Sequence, residues 1–165
     1  MTTVIILLSI IVGSVAVDQI VKAIVDSNMA VGETVPVIED IFHFTYIQNR
    51  GAAFGMLANN RWIFMIISTV AIVAMCVYLF KFCAESMLTK TGFALLIGGG
   101  IGNMIDRVLL GYVIDMIDCR FIDFYVFNVA DSCVCVGAGI VALGFILSTI
   151  KEAKAEKAGK SSDDN

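Results

Sequence analysis

The chain has 165 residues, of which 59% are hydrophobic and only 16% are charged, whereas soluble domains average about 45–50% apolar and about 25% charged residues. A soluble fold of this length cannot bury so much apolar surface, and the composition also excludes a disordered chain, a fibrous repeat and a secreted disulfide scaffold. The net charge is −4, which does not indicate a nucleic-acid-binding surface. We therefore predict a single domain that lies in a membrane.

Four apolar stretches are candidates for membrane-spanning helices, each of which needs about 20 residues. In chain order they cover residues 4–25, 62–82, 91–107 and 127–150. The third stretch is the shortest, and its Gly98 and Gly102 have the spacing found where membrane helices pack closely. We expect one integral membrane domain over residues 1–150 and a polar cytoplasmic tail over residues 151–165.

The orientation of these spans follows from the basic residues in their flanks. The connection over residues 81–90 and the tail together hold six Lys and Arg residues, compared with four in the other two connections. We therefore expect both termini in the cytoplasm and the two long connections on the outer side.

The connection after the first span, about 35 residues long, is long enough to be functional. Phe42, Phe44 and Tyr46 alternate there with His43 and Thr45, and this alternation is typical of a β-strand. The predicted fold is an all-α membrane protein of four transmembrane helices with a small extracytoplasmic β element, whose aromatic face points toward membrane lipid or a lipid-bearing ligand.

Several kinds of catalytic site are excluded by the sequence. His43 is the only histidine, so an H-E-x-x-H metal site is impossible, and the G-x-S-x-G motif of serine hydrolases is missing. The glycines of residues 98–102 lie outside any βαβ unit and do not form a dinucleotide fingerprint. Five cysteines, an odd number, argue against a disulfide framework. We expect no metal and no cofactor.

Polar residues at or inside the spans are the unusual feature, because such groups are costly in a bilayer and point to function. Asp18 and Lys22 share one helix face and can pair. The others lie near the third and fourth spans: Asn103, Asp106, Arg107, Asp115, Asn128 and Asp131. By themselves they are consistent with an enzyme, with an ion or proton carrier, or with a membrane scaffold. The chain lacks the internal repeat common in transporters, and a scaffold leaves the polar residues unexplained.

Five motifs, taken together and in this order, resemble the lipoprotein signal peptidases, also called signal peptidase II. They are Asp18-Gln19-Ile20-Val21-Lys22, Asn49-Arg50-Gly51-Ala52-Ala53-Phe54-Gly55, Gly102-Asn103-Met104-Ile105-Asp106-Arg107, Gly111-Tyr112-Val113-Ile114-Asp115 and Phe127-Asn128-Val129-Ala130-Asp131-Ser132. Each motif is weak alone, but their combination extends over nearly the whole chain outside the tail.

The resemblance implies an aspartyl endopeptidase whose catalytic pair is Asp115 and Asp131. The residues alone do not distinguish Asp115 from Asp106 or Asp118. The resemblance also implies a set of substrate-binding or supporting residues: Asn49, Gly51, Asn103, Arg107, Asn128, Ala130, Asp18 and Lys22.

The substrates that the resemblance implies are prolipoproteins whose cysteine already carries diacylglycerol. Cleavage just before that cysteine releases the signal peptide, and a water activated by the two aspartates is the nucleophile. The implied location is the plasma or inner membrane of a bacterium, with the active site near the outer face.

Overall fold

The structure is a computed structural model that describes residues 1–51, 61–83, 86–122 and 124–163. Its helices are α1 (Thr2–Asn28), α2 (Arg61–Val77, continued by a π-helical turn over Tyr78–Phe82), α3 (Met87–Leu109) and α4 (Val129–Asp163). Its strands are β1 (Thr34–Ile38), β2 (Phe42–Asn49) and β3 (Val113–Cys119). The predicted fold class, four long apolar helices with a small β element, is confirmed.

Helix α3 lies at the centre of the bundle. It packs against α1, α2 and α4, and 39% of its apolar window is buried, compared with 17% in α1, 11% in α4 and 6% in α2. Each of the four helices is long and apolar enough to cross a membrane. Large apolar side chains remain exposed along α1, α2 and α4, as expected for helices whose outer faces contact lipid.

Glycines of α3 allow the close approach of its neighbours. A Cβ atom on Gly99 would lie 2.4 Å from the backbone oxygen of Ala130 in α4, and one on Gly102 would lie 2.6 Å from Oδ2 of Asp18 in α1. Small residues permit such close contact between membrane helices. The predicted packing role of the glycine-rich third span is therefore confirmed.

The three strands form one antiparallel sheet in the order β1-β2-β3. Strand β2 contains the predicted alternating segment from Phe42 to Tyr46. Tyr46 packs with Met116 of β3 and Val25 of α1 in one buried cluster, and its hydroxyl donates a hydrogen bond to Asp26. The sheet is thereby attached to the C-terminal end of α1.

A tight turn joins α3 to β3. Gly111 has a φ of +82°, a left-handed conformation that glycine adopts easily and that commonly ends helices. The N–H groups of Leu110 and Gly111 both donate to the backbone oxygen of Asp106, at 2.7 and 3.2 Å. This turn fixes the start of the strand that carries Asp115.

Residues 151–163, expected as a polar end outside the fold, continue α4 as a helix. Alanine, lysine and glutamate predominate in this segment, and all three have high helix propensity. The helix that begins at Val129 therefore extends beyond its apolar stretch.

We predict that Gly99→Ala weakens the contact between α3 and α4. The added methyl group has no space beside Ala130, and overpacking of this kind typically costs about 1–3 kcal/mol. Denaturant unfolding in detergent micelles should show this loss in the free energy of unfolding. Gly139→Ala in α4 is the matched control, because its Cβ would meet no atom within 4 Å. Equal stability of the two variants would contradict the packing role.

Candidate active site

The polar residues identified in the sequence converge where α1, α3, α4 and the sheet meet. Asp115 lies on β3, Asp131 lies in the first turn of α4, and three asparagines connect them to their surroundings. These asparagines come from different elements: Asn49 ends β2, Asn103 lies in α3 and Asn128 precedes α4.

Asn128 and Asp131 form a reciprocal cap at the start of α4. Oδ1 of Asn128 accepts the backbone N–H of Asp131 at 2.9 Å, and Oδ2 of Asp131 accepts the backbone N–H of Asn128 at 3.3 Å. This exchange satisfies two backbone donors that a helix start leaves free, as in a capping box. The cap also holds the carboxylate of Asp131 at the positive end of the helix dipole, which favours negative charge.

Asp115 is 2% exposed and receives one amide donor on each carboxylate oxygen. Nδ2 of Asn49 donates to Oδ2 at 2.9 Å, and Nδ2 of Asn128 donates to Oδ1 at 2.6 Å. Asn128 therefore contacts both aspartates, with its side-chain NH₂ on Asp115 and its backbone N–H on Asp131. One residue thus joins the two carboxylates.

The amides of Asn49 and Asn128 are fixed in direction by backbone donors on their oxygen side. Oδ1 of Asn49 accepts the N–H of Gly51 at 3.0 Å, and Oδ1 of Asn128 accepts the N–H of Asp131. Because a backbone N–H can only donate, the NH₂ group of each amide must point the other way. Both NH₂ groups therefore face Asp115.

A buried ionic triad lies directly behind these residues. Nζ of Lys22 contacts Oδ2 of Asp18 at 2.8 Å and Oδ2 of Asp106 at 3.0 Å, and all three side chains are at most 3% exposed. The pair predicted from the spacing of Asp18 and Lys22 is confirmed. Sequence reasoning did not resolve a role for Asp106, the third member, because spacing alone did not relate it to α1.

The triad also anchors the elements that carry the two aspartates. Oδ1 of Asp18 accepts the backbone N–H of Ala130 at 2.9 Å, and Oδ2 of Asp106 accepts the backbone N–H of Ile114 at 3.1 Å. Ala130 and Ile114 directly precede Asp131 and Asp115. The triad thereby positions the backbone beside each carboxylate.

Gln19 is a site residue that sequence reasoning missed. Its Nε2 donates to Oδ1 of Asp106 at 3.0 Å and to the backbone oxygen of Gly102 at 3.2 Å. It neighbours Asp18 in the first motif, and a search for any polar residue on the buried face of α1 would have found it.

Arg107 and Gly51 complete the predicted set. Nη1 of Arg107 donates to the backbone oxygen of Asn103 at 3.2 Å, and its charge interacts electrostatically with Asp131 and Asp115. Gly51 is buried and has the backbone contact to Asn49 given above. Residues 52–55 of the second motif, including Gly55, lie outside the described residues.

Burial raises the pKa of Asp115 to about 6. This value includes an upward contribution from the negative charge of Asp131 and downward contributions from the donors of Asn49 and Asn128 and from the charge of Lys22. A carboxyl group with a pKa of about 6 can hold or release a proton near neutral pH. The pair is therefore suited to general acid–base chemistry.

His43 is not part of this cluster. It pairs with Asp118 and Pro36 in the sheet register, and within the described part of the chain neither ring nitrogen has a hydrogen-bond partner. Among the same residues, no group of three or more His, Cys, Asp or Glu side chains is arranged to hold a metal ion.

Comparison with known proteins identifies close relatives. A family model described as Peptidase_A8, signal peptidase (SPase) II, matches residues 10–147. The chain is 46% identical over 130 residues to the lipoprotein signal peptidase of Halothermothrix orenii (strain H 168), a match that covers 78% of this chain and 87% of the relative. It is 45% identical over 128 residues to that of Clostridioides difficile (strain 630), covering 78% of this chain and 86% of the relative.

Solved structures agree in fold. A bacterial membrane enzyme determined by the in meso method at 2.3 Å resolution matches with a TM-score of 0.82 and 32% identity, covering 87% of this chain and 88% of that one. A second, at 1.9 Å resolution, matches with a TM-score of 0.78 and 33% identity, covering 84% of this chain and 91% of that one.

We predict that Asn49→Ala raises the pKa of Asp115 above its value of about 6, by roughly one unit, because the ionised carboxylate loses a donor. The measurement is a pH titration of ¹³C-labelled aspartate side chains, with the signal assigned from Asp115→Asn. His43→Ala, which removes no contact to Asp115, should leave the pKa unchanged. An unchanged or lower pKa in Asn49→Ala would contradict the assigned hydrogen bond.

Proposed function

The chain belongs to the signal peptidase II family of aspartic-type peptidases, and we propose that it cleaves diacylglyceryl-modified prolipoproteins just before the lipidated cysteine by means of Asp115 and Asp131. The observation that carries this proposal is the single asparagine, Asn128, that donates hydrogen bonds to both carboxylates. It holds two acidic groups together at the junction of the bundle and the sheet.

The surroundings of the two aspartates differ in a way that supports separate roles. Asp131 is partly exposed and lies in the first turn of α4, where it caps the helix. Asp115 is fully buried, and burial raises its pKa to about 6. We therefore assign the general base to Asp131 and the shared proton to Asp115.

In this mechanism Asp131 takes a proton from a bound water, whose oxygen attacks the scissile carbonyl carbon. Asp115 donates its proton to the carbonyl oxygen as negative charge develops there. The tetrahedral intermediate collapses when the C–N bond breaks. The proton on Asp131 passes to the leaving amine, and Asp115 recovers its proton from the former carbonyl oxygen. One water molecule is consumed for each bond cleaved, and both aspartates return to their starting states.

The membrane setting suits a lipid-modified substrate. Two acyl chains keep the scissile bond at the bilayer surface, since each buried CH₂ contributes about 0.8 kcal/mol to membrane binding. Arg107 is half-buried, and its charge interacts with both carboxylates. We propose that it binds the substrate backbone. We also propose that the protein lies in the bacterial plasma or inner membrane, with both termini cytoplasmic and the site near the outer face.

The first test of the mechanism is replacement of each aspartate. Asp115→Asn and Asp131→Asn keep the side-chain shape, but an amide cannot act as a general base or pass on the proton, so each should lower turnover by at least about 10²-fold. The double variant should be hardly worse than either single one, because the two groups act as a unit. The measurement is cleavage of purified diacylglyceryl-modified prolipoprotein in detergent, with the unmodified precursor alongside.

Replacements of neighbouring nucleophilic side chains are the controls. Ser132→Ala, Cys133→Ala and Cys135→Ala should retain substantial activity, because the mechanism uses no serine or cysteine nucleophile. Substantial activity in Asp131→Asn would overturn the proposed pair. So would loss of activity in Asp118→Asn but not in Asp115→Asn.

The assigned roles also predict the pH dependence. kcat/KM reports groups of the free enzyme, and Asp115 must be protonated to act as the acid. We therefore expect kcat/KM to fall as the pH rises through about 6, the raised pKa of Asp115. Asn49→Ala should move this fall to higher pH. A rise of kcat/KM through the same range would assign Asp115 as the base instead.

A further inference from the structure

The ammonium group of Lys22 has a third partner besides the two aspartates of the triad. Nζ donates to Oδ1 of Asn103 at 3.0 Å, in addition to its contacts with Asp18 and Asp106. An ammonium has three N–H donors and no acceptor. Because the side chain is only 2% exposed, these three contacts use its full donor capacity within the protein.

The contact with Lys22 decides which way the amide of Asn103 points. Oδ1 also accepts Nδ2 of Asn128 at 3.0 Å, and on the opposite side Nδ2 of Asn103 donates to Oδ1 of Asp131 at 2.7 Å. If the amide turned over, its NH₂ would face an ammonium and another NH₂, while its oxygen would face a carboxylate. All three contacts would then set donor against donor or acceptor against acceptor.

We infer that Lys22 is a positioning residue, which acts through Asn103 by keeping the amide NH₂ directed at Asp131. This inference rests on the proposed role of Asp131 as the base. It adds a role in orienting Asn103 to a buried charge that also joins α1 to α3 through the triad.

Charge alone does not account for this arrangement. The triad as a whole carries −1, from two carboxylates and one ammonium, so it adds no net positive charge at the site. Arg107 of α3 also interacts electrostatically with Asp131 and Asp115. Lys22 also lowers the pKa of Asp115. The experiment must therefore distinguish this effect on Asp115 from the effect of Lys22 on Asn103.

The experiment compares Asp106→Asn with the double variant Lys22→Met/Asp106→Asn. Asp106→Asn breaks one contact of the triad but leaves the ammonium on Asn103. The double variant removes the ammonium, and its remaining carboxylate on Asp18 restores the triad's original charge of −1. kcat and KM for diacylglyceryl-modified prolipoprotein are measured over the full pH range at matched amounts of folded protein. The value compared is the maximum of kcat, where kcat no longer depends on pH. A shift in the pKa of Asp115 caused by loss of Lys22 does not change this value.

We expect the maximal kcat of the double variant to be at least about tenfold below that of Asp106→Asn, the loss typical of one hydrogen bond to a charged group, with KM within about twofold. Equal maximal kcat values would overturn the inference. A change confined to KM, or to the pH at which activity falls, would also overturn it. If the double variant is not recovered folded, Lys22→Leu/Asp106→Asn, which has the same triad charge, is compared with Asp106→Asn in the same way.

A second readout does not depend on turnover. With ¹⁵N-labelled asparagine, the side-chain amide of Asn103 should give a separate, slowly exchanging signal in the wild-type protein and in Asp106→Asn. This signal should lose its protection when Lys22 is replaced. Retained protection overturns the inference, whether or not the protein cleaves prolipoprotein, whereas failure of the wild-type protein to cleave would overturn only the proposed function.

Discussion

A buried ammonium group is the constraint on which the geometry of this protein depends. An ionised lysine surrounded by apolar helices must be paired, and its partners must themselves be satisfied. Lys22 meets this requirement with Asp18 of its own helix and Asp106 of α3. Oδ1 of Asp18 accepts the backbone N–H before Asp131, and Oδ2 of Asp106, the oxygen that also contacts Lys22, accepts the backbone N–H before Asp115. One charge therefore determines how two helices, a strand and the start of a third helix meet.

The carboxylates of the site differ in whether their direct partners are charged or neutral. Asp18 and Asp106 both contact the ammonium group of Lys22. Among the described residues, the direct hydrogen-bond donors to the carboxylate of Asp115 are side-chain amides. Neutral donors hold a carboxylate in place without forcing it to ionise, whereas a cation in direct contact strongly favours the charged form. Acidic groups a short distance apart in the fold therefore differ in whether their direct partners carry a charge.

Much of this architecture was predictable from the sequence, for physical reasons. Long apolar stretches gave the four helices, and the alternation from Phe42 to Tyr46 gave β2. Strands β1 and β3 were not predicted, because Pro36 interrupts the first and acidic residues occupy the second. Hydropathy carries no information on which carboxylates meet, so the residues alone did not separate Asp115 from Asp106 or Asp118. The triad's third member required the three-dimensional approach of α1 and α3.

The spacing of Asp18 and Lys22 bears on how the chain enters the bilayer during synthesis. The backbone group that Asp18 binds at Ala130 lies 112 residues later, so α1 is made long before that partner exists. Asp106, the second carboxylate on Lys22, is also made much later. Because Asp18 and Lys22 lie one helical turn apart, they can neutralise each other within α1 alone. The first helix can thus enter the membrane with its lysine already paired to Asp18. Asp106 and the backbone of Ala130 then add their contacts to this pair when α3 and α4 have been made.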